Sequence, residues 1–207
     1  MVGHYHTRVI YGSYCEVTIS TAAGAIGVDQ SANHTGVCVL ALDGKVLLSE
    51  LIEPKVRGTA RLVYLYDTLR CVLAGYTAPV GVWESYSMGS VNQPFLLGEV
   101  GGIVQIVLAS RCTLVEKSSP KALKKFVTGN ASASKSQMVS IIKTRWGESF
   151  IDDDDNRADA YGLAQIGRHL SDPSLSQVRA QREVVSSIRA GGPPRKKRSF
   201  RTNNGVL

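Results

Sequence analysis

The chain has 207 residues, of which 43% are hydrophobic, and a net charge of +7, enough apolar material for the core of one α/β domain. No apolar run reaches the roughly 18 residues that span a membrane, and the opening Met1-Val2-Gly3-His4-Tyr5-His6 lacks the charged start and apolar stretch of a secretory signal. Cys15, Cys38, Cys71 and Cys112 form no Cys-x-x-Cys pair, which argues against a zinc site or disulfide framework and fits a reducing cytoplasm.

Residues 1–24 read as a variable extension. Arg8-Val9-Ile10-Tyr11 and Glu16-Val17-Thr18-Ile19 have the composition of short strands, but no helix pairs with them, and His4 and His6 read as a solvated pair. From Ala25 the pattern becomes regular. A strand over 25–29 leads through a loop to a second over 36–42, and Asp43-Gly44 is a two-residue hairpin turn returning through 45–48. A helix over 59–74 puts Leu62, Leu65, Tyr66 and Leu69 on one face. A strand follows over 80–84, then an apolar helix over 94–110 containing Gly98, Gly101 and Gly102. Glycines inside a helix cost about 1 kcal/mol each relative to alanine, so these are expected to serve close packing.

Residues 112–116 form the fifth strand of this pattern, and Ser119-Pro120 opens a short helix that Gly129 ends. Ser134-Lys135-Ser136-Gln137 is a capping box opening a helix with Met138, Ile141, Ile142 and Trp146 inward. The last core helix covers 156–170. Three antiparallel strands, then two parallel ones alternating with helices, describe a mixed five-stranded α/β sheet flanked by helices. The end of the chain is different. From Arg179 onward there are eight cations (among them Arg195, Lys196, Lys197 and Arg198) against the single acid Glu183, so the body, with sixteen of each sign, is neutral. Residues 173–207 therefore read as a basic arm, disordered from about 190 after Gly191-Gly192-Pro193-Pro194, and suited to gripping a polyanion through its phosphates.

Three acids stand at the edges of apolar elements. Asp29 ends Ala25-Ile26-Gly27-Val28, Glu84 ends Val80-Gly81-Val82-Trp83, and Asp159 lies among small and apolar helical neighbours after the run Asp152 to Asp155. A carboxylate leaving a buried strand is costly unless a cation meets it, and glutamate has no local turn role to explain its place. If the fold brings the three together, hard divalent cations such as Mg²⁺ or Mn²⁺ are the natural counter-charge. Asp155, one turn before Asp159, and Asn156, three residues before it, share its helix face. Either is a candidate fourth ligand, with Asp155 preferred because a carboxylate holds Mg²⁺ better than an amide does. Lys135, beside the free N–H groups of a helix start, suits a phosphate grip. Lys121, Lys124 and Lys125 are further candidates for contact with DNA.

Four segments in order carry a resemblance: Gly27-Val28-Asp29-Gln30-Ser31 with Thr35-Gly36; Trp83-Glu84 followed by Leu97-Gly98-Glu99-Val100-Gly101-Gly102; Ser132-Ala133-Ser134-Lys135-Ser136-Gln137; and Asp155-Asn156-Arg157-Ala158-Asp159-Ala160. Over about residues 25–170 the chain resembles the RuvC family of Holliday junction resolvases, especially the phage-encoded forms. The resemblance implies a ribonuclease H-like fold, with Asp29, Glu84 and Asp159 as metal-binding acids and a fourth carboxylate shortly before Asp159. In the bacterial enzymes that fourth acid falls where this chain has Asn156, so Asp155 is the nearest substitute. Lys124 and Lys135 fall at the family's basic positions, and Tyr86 is the candidate for the aromatic residue that helps open the junction. The implied protein is a homodimer that binds two Mg²⁺ or Mn²⁺ ions and resolves four-way DNA junctions by paired nicks in the cytoplasm, that of a bacterial host if phage-encoded. The residues themselves leave open a broader flap or fork endonuclease, and a DNA-binding structural protein without catalysis.

Overall fold

Where the strands fall follows from short apolar runs bounded by turn residues, and how they pair sets up everything else. The structure, a computed structural model, describes residues 21–85, 94–147 and 154–191. Six strands are present among them: β1 (Thr21–Ala22), β2 (Ala25–Asp29), β3 (Thr35–Leu40), β4 (Val46–Ile52), β5 (Tyr76–Glu84) and β6 (Cys112–Ser118). The main sheet has the order β4-β3-β2-β5-β6, antiparallel from β4 to β2 and parallel from β2 to β6. This is the mixed five-stranded sheet expected from the sequence. The β3–β4 turn is closed by Gly44 at φ 94 and by the Asp43 carboxylate accepting from Lys45 N–H at 3.0 Å, as a hairpin of this kind requires.

One expectation needs correcting at the start of the domain. β1 pairs in parallel with the start of β5, through Thr21↔Tyr76 and Ala22↔Thr77, so the sheet begins before the expected start at Ala25. The proposed strands at 8–11 and 16–19 lie outside the described residues, as do Tyr86, Arg195, Lys196, Lys197 and Arg198.

Six α-helices flank the sheet among the described residues: α1 (Thr59–Val72), α2 (Pro94–Ala109), α3 (Pro120–Thr128), α4 (Lys135–Trp146), α5 (Asp155–Ser171) and α6 (Arg179–Arg189). Because strand side chains alternate, the sheet has two cores. Ile26, Val28, Val37 and Val39 meet Leu65 and Leu69 of α1 and Val104 and Leu108 of α2 on one face. Cys38, Leu40, Val80 and Val82 meet Phe126, Ile142 and Tyr161 on the other. The basic arm expected from residue 173 is thus in part packed structure. α6 buries Val184, Val185 and Ile188 in this second core, since these apolar side chains recur at helical spacing among the arginines. Three of the arm's cations are held by the protein itself: Arg179 by Glu183 at 2.7 Å, Arg182 by the Gln177 carbonyl at 2.5 Å and Arg189 by the Leu170 carbonyl at 2.6 Å.

Glycine sets the spacing between the sheet and α5. A Cβ at Gly27 would collide with Ala160 O and Ala164 N, and one at Gly36 with Asn156 O. The helix backbone therefore lies directly on β2 and β3. The glycines of α2 behave otherwise. Gly98 and Gly102 would meet nothing within 4 Å, so the close packing expected of them is not made within the described residues. Among those residues no helix is long and apolar enough to cross a membrane.

Candidate active site

β2 and β5 are parallel neighbours, in register through Val28↔Trp83, so their carboxyl ends deliver the next residues, Asp29 and Glu84, side by side. Ligands of open α/β sheets bind outside the carboxyl ends of strands. The third acid comes from α5, whose start is fixed by Asp154: its Oδ1 accepts from Asn156 N–H at 2.9 Å and Arg157 N–H at 3.1 Å. The helix then passes over Gly27 and Gly36 and sets Asp159, the residue before Ala160, beside the strand ends. One carboxylate oxygen from each of Asp29, Glu84 and Asp159 lies within 4.8 Å of the others.

The electrostatics are those of a site short of positive charge. Asp29 is 6% exposed. Burial, and after it the neighbouring Glu84 carboxylate, hold Asp29 well above the usual carboxylate range. Burial pushes Glu84 up to about 7, with Asp159 adding to the shift. Asp159 is pushed up to about 7 as well, by burial and then by Asp29. Lys124 and Lys135 oppose the shifts of Glu84 and Asp159, yet two ammonium groups do not restore ordinary acidity. The donor set fits a hard divalent ion: all three donors are carboxylate oxygens, and Mg²⁺–oxygen bonds of about 2.0–2.1 Å allow ligands up to about 4.2 Å apart. Small side-chain rotations close the remaining gap.

The other expected site residues divide into three groups. Lys135 is the first residue of α4, where both halves of the capping box are made: Gln137 N–H to Ser134 Oγ at 3.2 Å and Ser134 N–H to Gln137 Oε1 at 2.9 Å. With Lys124 on α3 it faces the acids. Asp155 is not brought into the cluster; its carboxylate pairs with Lys135 Nζ. One helical turn separates it from Asp159 along the axis, and the α4 lysine meets it first. Lys125 pairs with Glu183 of α6 at 2.6 Å, and Lys121 is exposed on α3. Asp154 was not singled out from the run Asp152 to Asp155, although its charge bears on Asp29. Its place before an apolar-periodic helix was the available signal.

Comparison with known proteins agrees with this geometry. Residues 25–165 match the family model described as crossover junction endodeoxyribonuclease RuvC. Proteins carrying that description include one from Treponema pallidum, 26% identical over 184 residues, covering 83% of this chain and 92% of its own. Another, from Rhodopirellula baltica, is 26% identical over 170 residues, covering 77% and 94%. Among solved structures, Thermus thermophilus RuvC in complex with a Holliday junction substrate superposes with a TM-score of 0.59 at 19% identity, over 69% of this chain and 90% of that one. That likeness is one of fold. The family match covers well over half of the sequence and takes in all three clustered acids: the chain belongs to the crossover junction endodeoxyribonuclease RuvC family.

Proposed function

We propose that this protein is a metal-dependent endonuclease that resolves four-way DNA junctions by paired nicks, acting as a homodimer in the cytoplasm. One observation carries the reading: three carboxylates from separate elements, one buried and two half-buried, converge within 4.8 Å at the open end of a parallel strand pair. Asp29, Glu84 and Asp159 would hold Mg²⁺ or Mn²⁺, two ions in the full site. Bound there, divalent cations supply Lewis-acid polarisation of the phosphate and activation of water. The chain's own residues do the rest. The three acids fix the position of the site, the raised pKa values leave protons for a cation to displace, and Lys124 and Lys135 offset charge on the scissile phosphate. Asp155 holds Lys135 over the acids as a positioning residue.

The homodimer is supported by α2. Phe95 and Ile106 are 87% and 62% exposed, and between them Gly98 and Gly102 leave open space, so a second helix can approach closely. The functional test is cleavage of synthetic four-way, flap and linear DNA with Mg²⁺ or Mn²⁺ and with EDTA. The four-way junction should be nicked in metal alone. Asp29→Asn should lose several kcal/mol of transition-state stabilisation, about 10³-fold in rate. Undiminished cutting by Asp29→Asn, or linear duplex cut as fast as the junction, would sink the proposal.

A further inference from the structure

Two grooves run along the outer face of α4, and the mechanism uses neither beyond Lys135 and its partner Asp155. The one that takes in Lys135, of about 630 Å³, is lined by Lys135, Ser136, Ser140, Lys143, Thr144 and Asp155 among others. The second, of about 400 Å³, shares Ser136 and Ser140 and adds the polar Gln137 and Asn130. Helical spacing explains the continuity. Ser136, Ser140 and Thr144 follow one another at intervals of four, as do Lys135, Val139 and Lys143, so hydroxyls form one stripe and lysines flank the next. The opposite face of the helix is anchored by Met138 and Ile142, both buried in the core.

The chemistry of this face is that of a donor surface for phosphate. α4 contains no acidic residue, and Asp155, the acid among the groove's described lining residues, is already paired with Lys135. Lys135 and Lys143 are eight residues apart, about 12 Å along the helix, which corresponds to three to four nucleotides of a helical strand at about 3.4 Å each. Arg145 serves another purpose, donating to the Val127 carbonyl at 2.6 Å. The Thr144 hydroxyl likewise donates within the helix, to Ser140 O at 3.0 Å.

We propose that α4 is the track for the DNA strand next to the cut, with the flanking phosphates lying from Lys135 past Ser136 and Ser140 to Lys143. This rests on the nuclease reading and extends it. Phosphate contacts fix register without reading sequence, so this face would set how far the strand is held beyond the scissile bond.

The test is equilibrium binding of a fluorescent four-way junction in EDTA, where nothing is cut, over a range of salt concentrations. Lys143→Ala should weaken binding about threefold to tenfold and lower the log–log salt slope by about one, and Lys143→Arg should restore both. Ser140→Glu, an exposed change compatible with the helix, should weaken binding at least about tenfold at low salt by repelling the backbone. Methylphosphonates three to four nucleotides from the cut should weaken the wild type and leave Lys143→Ala little affected. The track is overturned if wild type binds the junction and both variants match it in affinity and slope. If wild type itself fails to bind, the nuclease reading fails and takes this inference with it.

Discussion

Asp29, Glu84 and Asp159 carry a cost that the folded protein meets without metal only by keeping protons. Glu84 and Asp159 titrate at about 7, against 4.5 and 3.8 for the free side chains. Because the folded values are raised, the unfolded chain ionises these groups first, and native stability from this source is fully present below the unfolded values and lost as pH rises towards 7. The expected outcome in EDTA is a melting temperature that falls between about pH 4 and about pH 7, with Mn²⁺ restoring more of it at the higher pH. A flat profile with no metal effect would contradict the site. Asp155 separates two roles for an acid near the cluster. As the partner of Lys135, its change to Asn should slow nicking about 10-fold to 100-fold while Mn²⁺ affinity moves by less than about threefold. Asp159→Asn should abolish measurable Mn²⁺ binding. Titration calorimetry on both variants decides between positioning and ligation. This distinction was not legible in the sequence, because periodicity places Asp155 and Asp159 on one helix face but cannot show that a lysine on a different helix reaches one of them first.

At the scale of elements, what was local could be read and what was tertiary could not. The Asp43-Gly44 hairpin, the Ser119-Pro120 start and the Ser134–Gln137 capping box all stand where the sequence put them, because each is decided by neighbours within four residues. β1 was invisible because two residues have no periodicity, and only the far-off start of β5 makes them a strand. α6 was hidden by composition. Its arginines suggest a solvated arm, and Val184, Val185 and Ile188 gain meaning only once α3 and α5 are there to receive them. The seat of α5 is the element on which the site depends most. Gly27→Ala would push a methyl group into the helix backbone at Ala160 and Ala164. That position cannot yield by a change of rotamer, so a loss of about 3 kcal/mol or more is expected, together with loss of metal binding. Thermal melts with and without Mn²⁺ measure both.

For the whole molecule, the proposed dimer and the proposed cut are coupled through geometry, since two nicks on opposing strands require two sites held in fixed relation. Ile106→Arg on the exposed face of α2 should convert a dimer to a monomer in sedimentation velocity while leaving the far-ultraviolet circular dichroism unchanged. A wild-type protein that sediments as a monomer at every concentration would remove this part of the reading. The glycine seat under α5 has one more consequence. Asp29, Glu84 and Asp159 come from distant parts of the chain and meet only after the helix has settled on β2 and β3, which nothing larger than glycine permits. A copy that is half-made, frayed or heat-damaged thus holds three scattered acids, and on the proposed reading such a copy cannot cut.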